Sequence, residues 1–410
     1  MTATLPRIDP LTAAREIAAA VLRSHAADVD ARGRFPAESV EALRQAGLLG
    51  FFVPERFGGT PGGFAALGSV AASLGEECLS TALIWAMHCQ HVAVLARHAA
   101  DAHGGVLAAI AERGLLVASV TTENGKGGDL LTAEAPLAAV PGGVRVRREA
   151  PVVSYGAEAA FFLITMRAAV DRPPNDVRLV LVARRDGEVA VTGDWNAMGM
   201  RGTRSVPMTF DVTVAPDRVL AAPFGEIALQ TLIPAGHVGW SAAWLGAARG
   251  AFTRFVRQMR REGTRGRRHL DSDLLHCRLA ELRLRLDLVD AMLERVSARL
   301  DSWTRDGAPA GPYGDIRHTI ELNNLKVAAA REAFSVVDGL VELAGLAQGY
   351  LKEKPADLER VFRDLRSAPL MFHNDRLLKA NGKLLLVEGS PMAEIWSPAG
   401  TRRESGGELP

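Results

Sequence analysis

The sequence predicts an α+β protein built as three consecutive zones, with helices first, strands next and helices last. Three observations carry this. Residues 11–115 repeat apolar side chains at three- and four-residue spacing, as in AAREIAAAVLRSHAADVD. From Leu116 the texture turns to short β-rich runs, LLVASVTT, GGVRVRREAPVV, FFLITMRAA, VRLVLVARR and MTFDVTVAP, separated by Gly, Pro, Asn or Asp. After residue 222 long amphipathic patterns return, over residues 228–261, 271–303 and 315–344, with a shorter pair after Pro355.

Each zone has its own local logic. Pro36 stands early in the helix of FPAESVEALRQAGLLG, where a missing N–H donor costs nothing, and glycine closes that helix. DSWTRDGAPAGPYGD separates the second and third late helices. The apolar faces of those helices demand burial against one another, so a bundle is expected. The resulting division is 1–115 helical, 116–222 β, 223–396 helical bundle, and 397–410 a polar, Gly-rich tail.

Composition narrows the function classes. Of 410 residues, 48% are apolar and 23% charged, which suits a folded chain with a sizeable core. Lys plus Arg number 48 against 47 Asp plus Glu, so no charge excess advertises nucleic acid or an anionic membrane. Cys78, Cys89 and Cys277 lack metal-ligand spacing and fit a reducing compartment. No uninterrupted apolar run reaches the ~18 residues of a membrane span, and the N-terminus lacks a secretory h-region. A cytoplasmic protein is expected.

The most informative string is Thr121-Thr122-Glu123-Asn124-Gly125-Lys126-Gly127-Gly128-Asp129, directly after the strand LLVASV. Its glycines let backbone N–H groups approach a ligand, and its hydroxyls can bond a flat heterocycle or a phosphate. On residue types alone it also reads as an ordinary glycine-rich turn. No helix follows, so it is neither a P-loop nor a dinucleotide fingerprint.

This string resembles the Thr-Glu-Pro-Gly-Ala-Gly-Ser-Asp turn of the acyl-CoA dehydrogenase family. Other matches follow in order: FPAESVEALRQAGLLGFFVPERFGG, Trp195 to Thr203 (WNAMGMRGT), the strand MTFDVTVAPDRVL, LNNLKVAAAREAF, Gly345 to Tyr350 (GLAQGY), and Phe362-Arg363-Asp364. The resemblance implies an N-terminal helical domain, a middle β-barrel or sandwich, and a C-terminal four-helix bundle. It implies FAD held between the β-domain and the bundle, and a homodimer or homotetramer. It also implies α,β-desaturation of an acyl thioester, carried by CoA or an acyl-carrier protein, with an electron-transfer partner. On matching positions, Val120, Thr121, Thr122, Gly127, Gly128, Val153 and Ser154 would line the flavin or the thioester. Gly345, Gln348 and Gly349 would meet the adenine end of a neighbouring subunit's FAD.

The sequence departs from the family where the chemistry lies. The usual catalytic glutamate, eight residues after the Asp of "R-D", is Phe372, and the alternative family position aligns with Gln230. Neither can act as a carboxylate base, and both are expected to line the substrate pocket. His373 and Asp375 are the neighbouring candidates for a relocated base, with His88 from a helix that reaches the flavin in this family. His88 and His91 form a metal pair that nothing nearby completes, so no metal is expected. Arg265, within GTRGRRH, is the candidate for the phosphate-binding arginine. Dehydrogenation with a non-standard base is the first reading. A monooxygenase on the same fold, using FAD or FMN reduced by a separate reductase, is the second; its substrate would be an aromatic, a heterocycle or an amine. A non-catalytic acyl-binding homologue is the third.

Overall fold

The computed structural model describes residues 9–125, 127–264, 270–305 and 315–387. It begins with α1 (Pro10–Ile17), which passes through a wider turn at Ala18–Leu22 into α2 (Arg23–Arg32). Then come α3 (Ala37–Gln45), α4 (Phe64–Gly75), α5 (Leu79–His98) and α6 (Ala100–Arg113). Pro36 caps α3 from outside rather than opening it, and Gly47, at φ 71°, supplies the left-handed turn that follows. The apolar α5 is long enough to cross a membrane, but 94% of its apolar stretch is buried inside the fold.

Among the described residues, seven strands make two sheets. One has the order β1 (Val117–Val120), β4 (Phe161–Arg167), β5 (Val177–Ala183), with β1 parallel to β4. The other is antiparallel, in the order β2 (Ala138–Val140), β3 (Gly143–Val153), β7 (Val206–Val214), β6 (Gly187–Val191). The continuous apolar run of β4 follows from burial on both faces. Phe162 packs on Phe210 of the other sheet, ring centroids 5.0 Å apart, while Phe161 and Leu163 face the core containing Val92 and Leu95 of α5. The β2 and β6 edges carry weak patterns and lie outside the runs recognised in the sequence.

After α7 (Phe224–Ile227), the long helices α8 (Ile233–Thr264), α9 (Asp273–Arg305) and α10 (Ile316–Gly345) pack together, and α11 (Leu358–Leu365) and α12 (Asn374–Leu385) lie against α10. The N-terminal helices join this bundle through glycine. A Cβ on Gly75 would strike Ala243 O, and one on Gly246 or Gly250 would strike Ala72 O or Glu76 O, so α4 and α8 touch backbone to backbone. The 397–410 tail and most of the break before α10 lie outside the described residues.

Candidate functional site

The site grows from the ends of β1 and β3. The Thr122 hydroxyl donates to Val152 O at 2.8 Å, joining the two strand ends. A bulge between Ala150 and Val153 turns β3 just there. Glu123 shapes the glycine-rich turn: it pairs with the buried Arg148 at 2.7 Å and accepts the N–H groups of Glu134 and Ala135 at 2.9 and 2.8 Å. Arg148 also donates to Thr122 O at 2.9 Å. With those contacts filled, Glu123 is a structural carboxylate rather than a base. Gly127 and Gly128 are exposed at φ 58° and 78°, conformations that favour glycine.

Beside them a chain of hydroxyls runs inward. Ser154 Oγ lies 2.9 Å from Ser205 Oγ, Ser205 Oγ 2.8 Å from Thr203 Oγ1, and Thr203 donates to Met200 O at 2.8 Å. Ser205 and Thr203 are buried and Ser154 is half-buried. The segment carrying Met200 and Thr203 is locked to α11. Asp364 accepts the Met200 N–H at 2.6 Å, and a Cβ on Gly199 would run into Arg363 O. Burial raises the Asp364 carboxyl to about 6 despite the attraction of Arg360.

The approach to α12 closes the other side. Arg376 donates to Gly127 O and spreads across the turn, its guanidinium 3.7 Å from where a Cβ on Gly127 would lie. This brings the first turn of α12, with exposed His373 and Asp375, next to the glycine-rich turn. The residues before it are pinned by Lys326, fully buried, which donates to Ala368 O at 3.1 Å, Phe372 O at 3.2 Å and Asn374 Oδ1 at 2.8 Å. Burial lowers that ammonium to about 7. Phe372 is held at φ 48°, and its ring meets His237 of α8 edge to face, centroids 5.6 Å apart. Burial pushes His237 down to about 3, with Lys326 acting in the same direction, so it stays neutral.

Several expected site residues take other roles. His88 is fully buried: its Nε2–H donates to Leu49 O at 2.8 Å and its Nδ1 accepts the Val117 N–H at 3.1 Å. Both ring nitrogens are spent on backbone, and burial lowers it to about 4. His88 therefore anchors β1 to α5 and offers no proton-transfer atom. Val120 and Val153 are fully buried, backbone and side chain, so neither presents a surface to a ligand. Val152, 38% exposed, presents the apolar surface instead. Gln230 bonds Glu226 on its own turn, at 2.9 Å. Gly349 is buried where a Cβ would lie 2.6 Å from Val341 O, so its bareness serves packing. Gln348 accepts from Gln258 at 3.0 Å, and Gly345, exposed at φ 69°, closes α10. That segment packs on α10 and α11. Arg265 lies outside the described residues.

Sequence reading missed His237, Arg376, Lys326 and the Thr203–Ser205 pair. His237 carried a usable signal, since it stands seven residues after Gln230, two helical turns along one face. Arg376 carried none, because its role depends on α12 folding back onto a turn remote in sequence.

At the strand ends the glycine-rich turn, with its Thr122 hydroxyl bonded to Val152 O, meets α12 through Arg376, and the exposed Val152 and half-buried Ser154 lie at the end of β3. Family models for the acyl-CoA dehydrogenase N-terminal and C-terminal domains match residues 10–104 and 226–372. The chain belongs to the acyl-CoA dehydrogenase family, a family of flavoproteins. It is 24% identical to the 3-sulfinopropanoyl-CoA desulfinase of Paraburkholderia xenovorans, over 86% of this chain and 88% of that protein. It is 28% identical to the L-evernosamine nitrososynthase of Micromonospora sp., over 85% of this chain and 83% of the relative. In fold it resembles FMN-bound TdsC, a dibenzothiophene monooxygenase of Paenibacillus sp. A11-2, with a TM-score of 0.81 at 20% identity, covering 92% of this chain and 97% of that one.

The residues present fit a flavin. The exposed, left-handed Gly127 and Gly128 and the apolar Val152 beside the Thr122 and Ser154 hydroxyls make a surface that an isoalloxazine ring can lie on.

Proposed function

We propose that this chain is a flavin-dependent monooxygenase on the acyl-CoA dehydrogenase fold, with an aromatic, heterocyclic or amine substrate. One observation carries the reading. Where the family places its catalytic glutamate stands Phe372, its ring turned onto the neutral His237. Desaturation needs a base for the α proton, and Glu123, the glutamate of the cleft's own turn, is already bonded to Arg148 and two backbone N–H groups. The nitrososynthase and the monooxygenase among its relatives support the same direction.

When bound, the flavin would supply the electron pair that activates dioxygen. Thr121, Thr122, Gly127, Gly128 and Ser154 would hold its ring, and Phe372 with His237 would give the substrate a dry, uncharged wall. FAD is the expected form, with FMN the alternative, delivered reduced by a separate reductase. Exposed Leu284, Leu288, Leu346 and Tyr350 support assembly with a second copy.

The test is anaerobic. The protein reconstituted with FAD or FMN is offered a panel of acyl-CoA and acyl-carrier thioesters while the oxidised flavin band is followed. We expect no bleaching, and oxygen-dependent product only when reduced flavin is added with an amine or heteroarene. Bleaching by a thioester would overturn the reading in favour of dehydrogenation, and its loss in His373→Ala would then name the base.

A further inference from the structure

We infer that one face of α8 selects the substrate by an acceptor oxygen, that of a carbonyl or a carboxylate. The inference rests on the reading above, in which Phe372 and His237 wall the substrate. His237, Trp240, Ser241 and Trp244 stand at i, i+3, i+4 and i+7, so they share one stripe of the helix. That stripe faces α10 and the residues before α12. His237 meets the Phe372 ring with centroids 5.6 Å apart and the Trp240 ring at 6.0 Å, and Lys326 Nζ lies 5.5 Å from the Trp244 ring centroid.

The stripe is buried, yet its polar atoms are unpaired. His237, Ser241 and Trp244 are fully buried, while Trp240 and Phe372 are half-buried and form the outer end. Among the described residues, neither ring nitrogen of His237, nor the Ser241 hydroxyl, nor either indole N–H finds a hydrogen-bond partner. The Leu322 backbone on α10 acts on His237 but stands outside hydrogen-bond geometry. Elsewhere the same groups are satisfied by backbone: buried Trp85 donates to Leu48 O at 2.9 Å, and His88 uses both of its nitrogens. Buried polar atoms are almost always bonded, and each one left open costs stability. Five on a single stripe mark a wall kept for a ligand rather than for packing.

The open atoms state what that ligand must offer. An indole N–H only donates, and a neutral imidazole and a hydroxyl donate once each. The stripe thus presents four donors. Lys326 adds a positive field but no further bond, because it already donates to Ala368 O, Phe372 O and Asn374 Oδ1. Burial alone acts on its charge, and no carboxylate offsets it among the described residues. An acceptor oxygen satisfies this wall, whereas an ammonium brings donors to donors and meets a like charge.

The test uses the flavin-reconstituted protein and four probes on one ring: naphthalene, methyl naphthyl ketone, naphthoate and naphthylmethylammonium. Wild type, Trp240→Phe and Ser241→Ala are titrated by calorimetry, with circular dichroism checking the fold. The indole N–H signals of protein carrying isotope-labelled tryptophan are followed by NMR. The ketone or the carboxylate should bind at least about tenfold more tightly than naphthalene and shift the Trp240 or Trp244 signal. Which of the two binds better tells a neutral acceptor from a charged one. Each variant should lose about tenfold for that probe and leave naphthalene unchanged, whereas a merely structural role would weaken every probe alike. Equal binding of the ammonium, an acceptor preference that neither variant lowers, or binding of no probe would overturn the inference. Oxygen-dependent product formed with reduced flavin in that event would leave the monooxygenase reading standing. Thioester bleaching with the acceptor preference intact would overturn the monooxygenase reading alone.

Discussion

The ring of Phe372 stands edge to face on the imidazole of His237, centroids 5.6 Å apart, in a position where relatives of this chain are expected to carry a carboxylate. The pair makes the local chemistry neutral, because burial keeps His237 from taking a proton until about pH 3. His88 and His91 are likewise buried and lowered to about 4.

A pH dependence follows. A histidine in the unfolded chain titrates near 6.5, while these three stay neutral in the fold well below that. Above about pH 7 these three histidines are neutral in both states and their own contribution no longer changes with pH. As pH falls from 6.5 toward 4, the unfolded chain binds more protons, and each such histidine removes about 1.4 kcal/mol per pH unit. Asp364, raised to about 6, takes up its proton in the fold first and offsets about one of them. Urea midpoints should therefore drop steeply below pH 6.5. His91→Asn, whose amide can replace the bond from Nδ1 to Met87 O, should flatten that slope by one proton.

Glu123→Ala should destabilise the fold by about 3–5 kcal/mol, since it strands the buried Arg148 guanidinium. Replacing both partners, Glu123→Leu with Arg148→Met, should cost less than the single change. Chemical denaturation of the single and double variants checks this; a purely additive outcome would mean that the pair is not coupled.

Gly199→Ala should cost about 2–3 kcal/mol and loosen the contact between the 195–203 segment and α11, because the new methyl meets the Arg363 carbonyl. Gly225→Ala, which meets nothing within 4 Å, is the control. Thermal melts of the two should separate clearly.

Lys326→Met should remove the donors to Ala368 O, Phe372 O and Asn374 Oδ1 while keeping the volume. Leaving those acceptors buried and unpaired costs about 3 kcal/mol. Hydrogen exchange should report faster opening of residues 368–374, and a variant with unchanged exchange there would deny Lys326 its role as a clamp.

The sequence alone determined the order of the three zones, the long helices to within a few residues and the β-rich centre. These are statements of local periodicity, which neighbouring residues settle among themselves. It also showed that position 372 holds Phe, an identity that does not depend on folding. The tertiary structure decided which candidates meet. His88 looked reactive by residue type, yet its nitrogens are bound by Leu49 and Val117, partners 39 and 29 residues away. Ser154 looked like any hydroxyl, yet its partner is Ser205, 51 residues away. Arg376 reached Gly127 across 249 residues. Proton positions and polarity come from hydrogen-bond partners, and those partners are adjacent in space rather than in the chain.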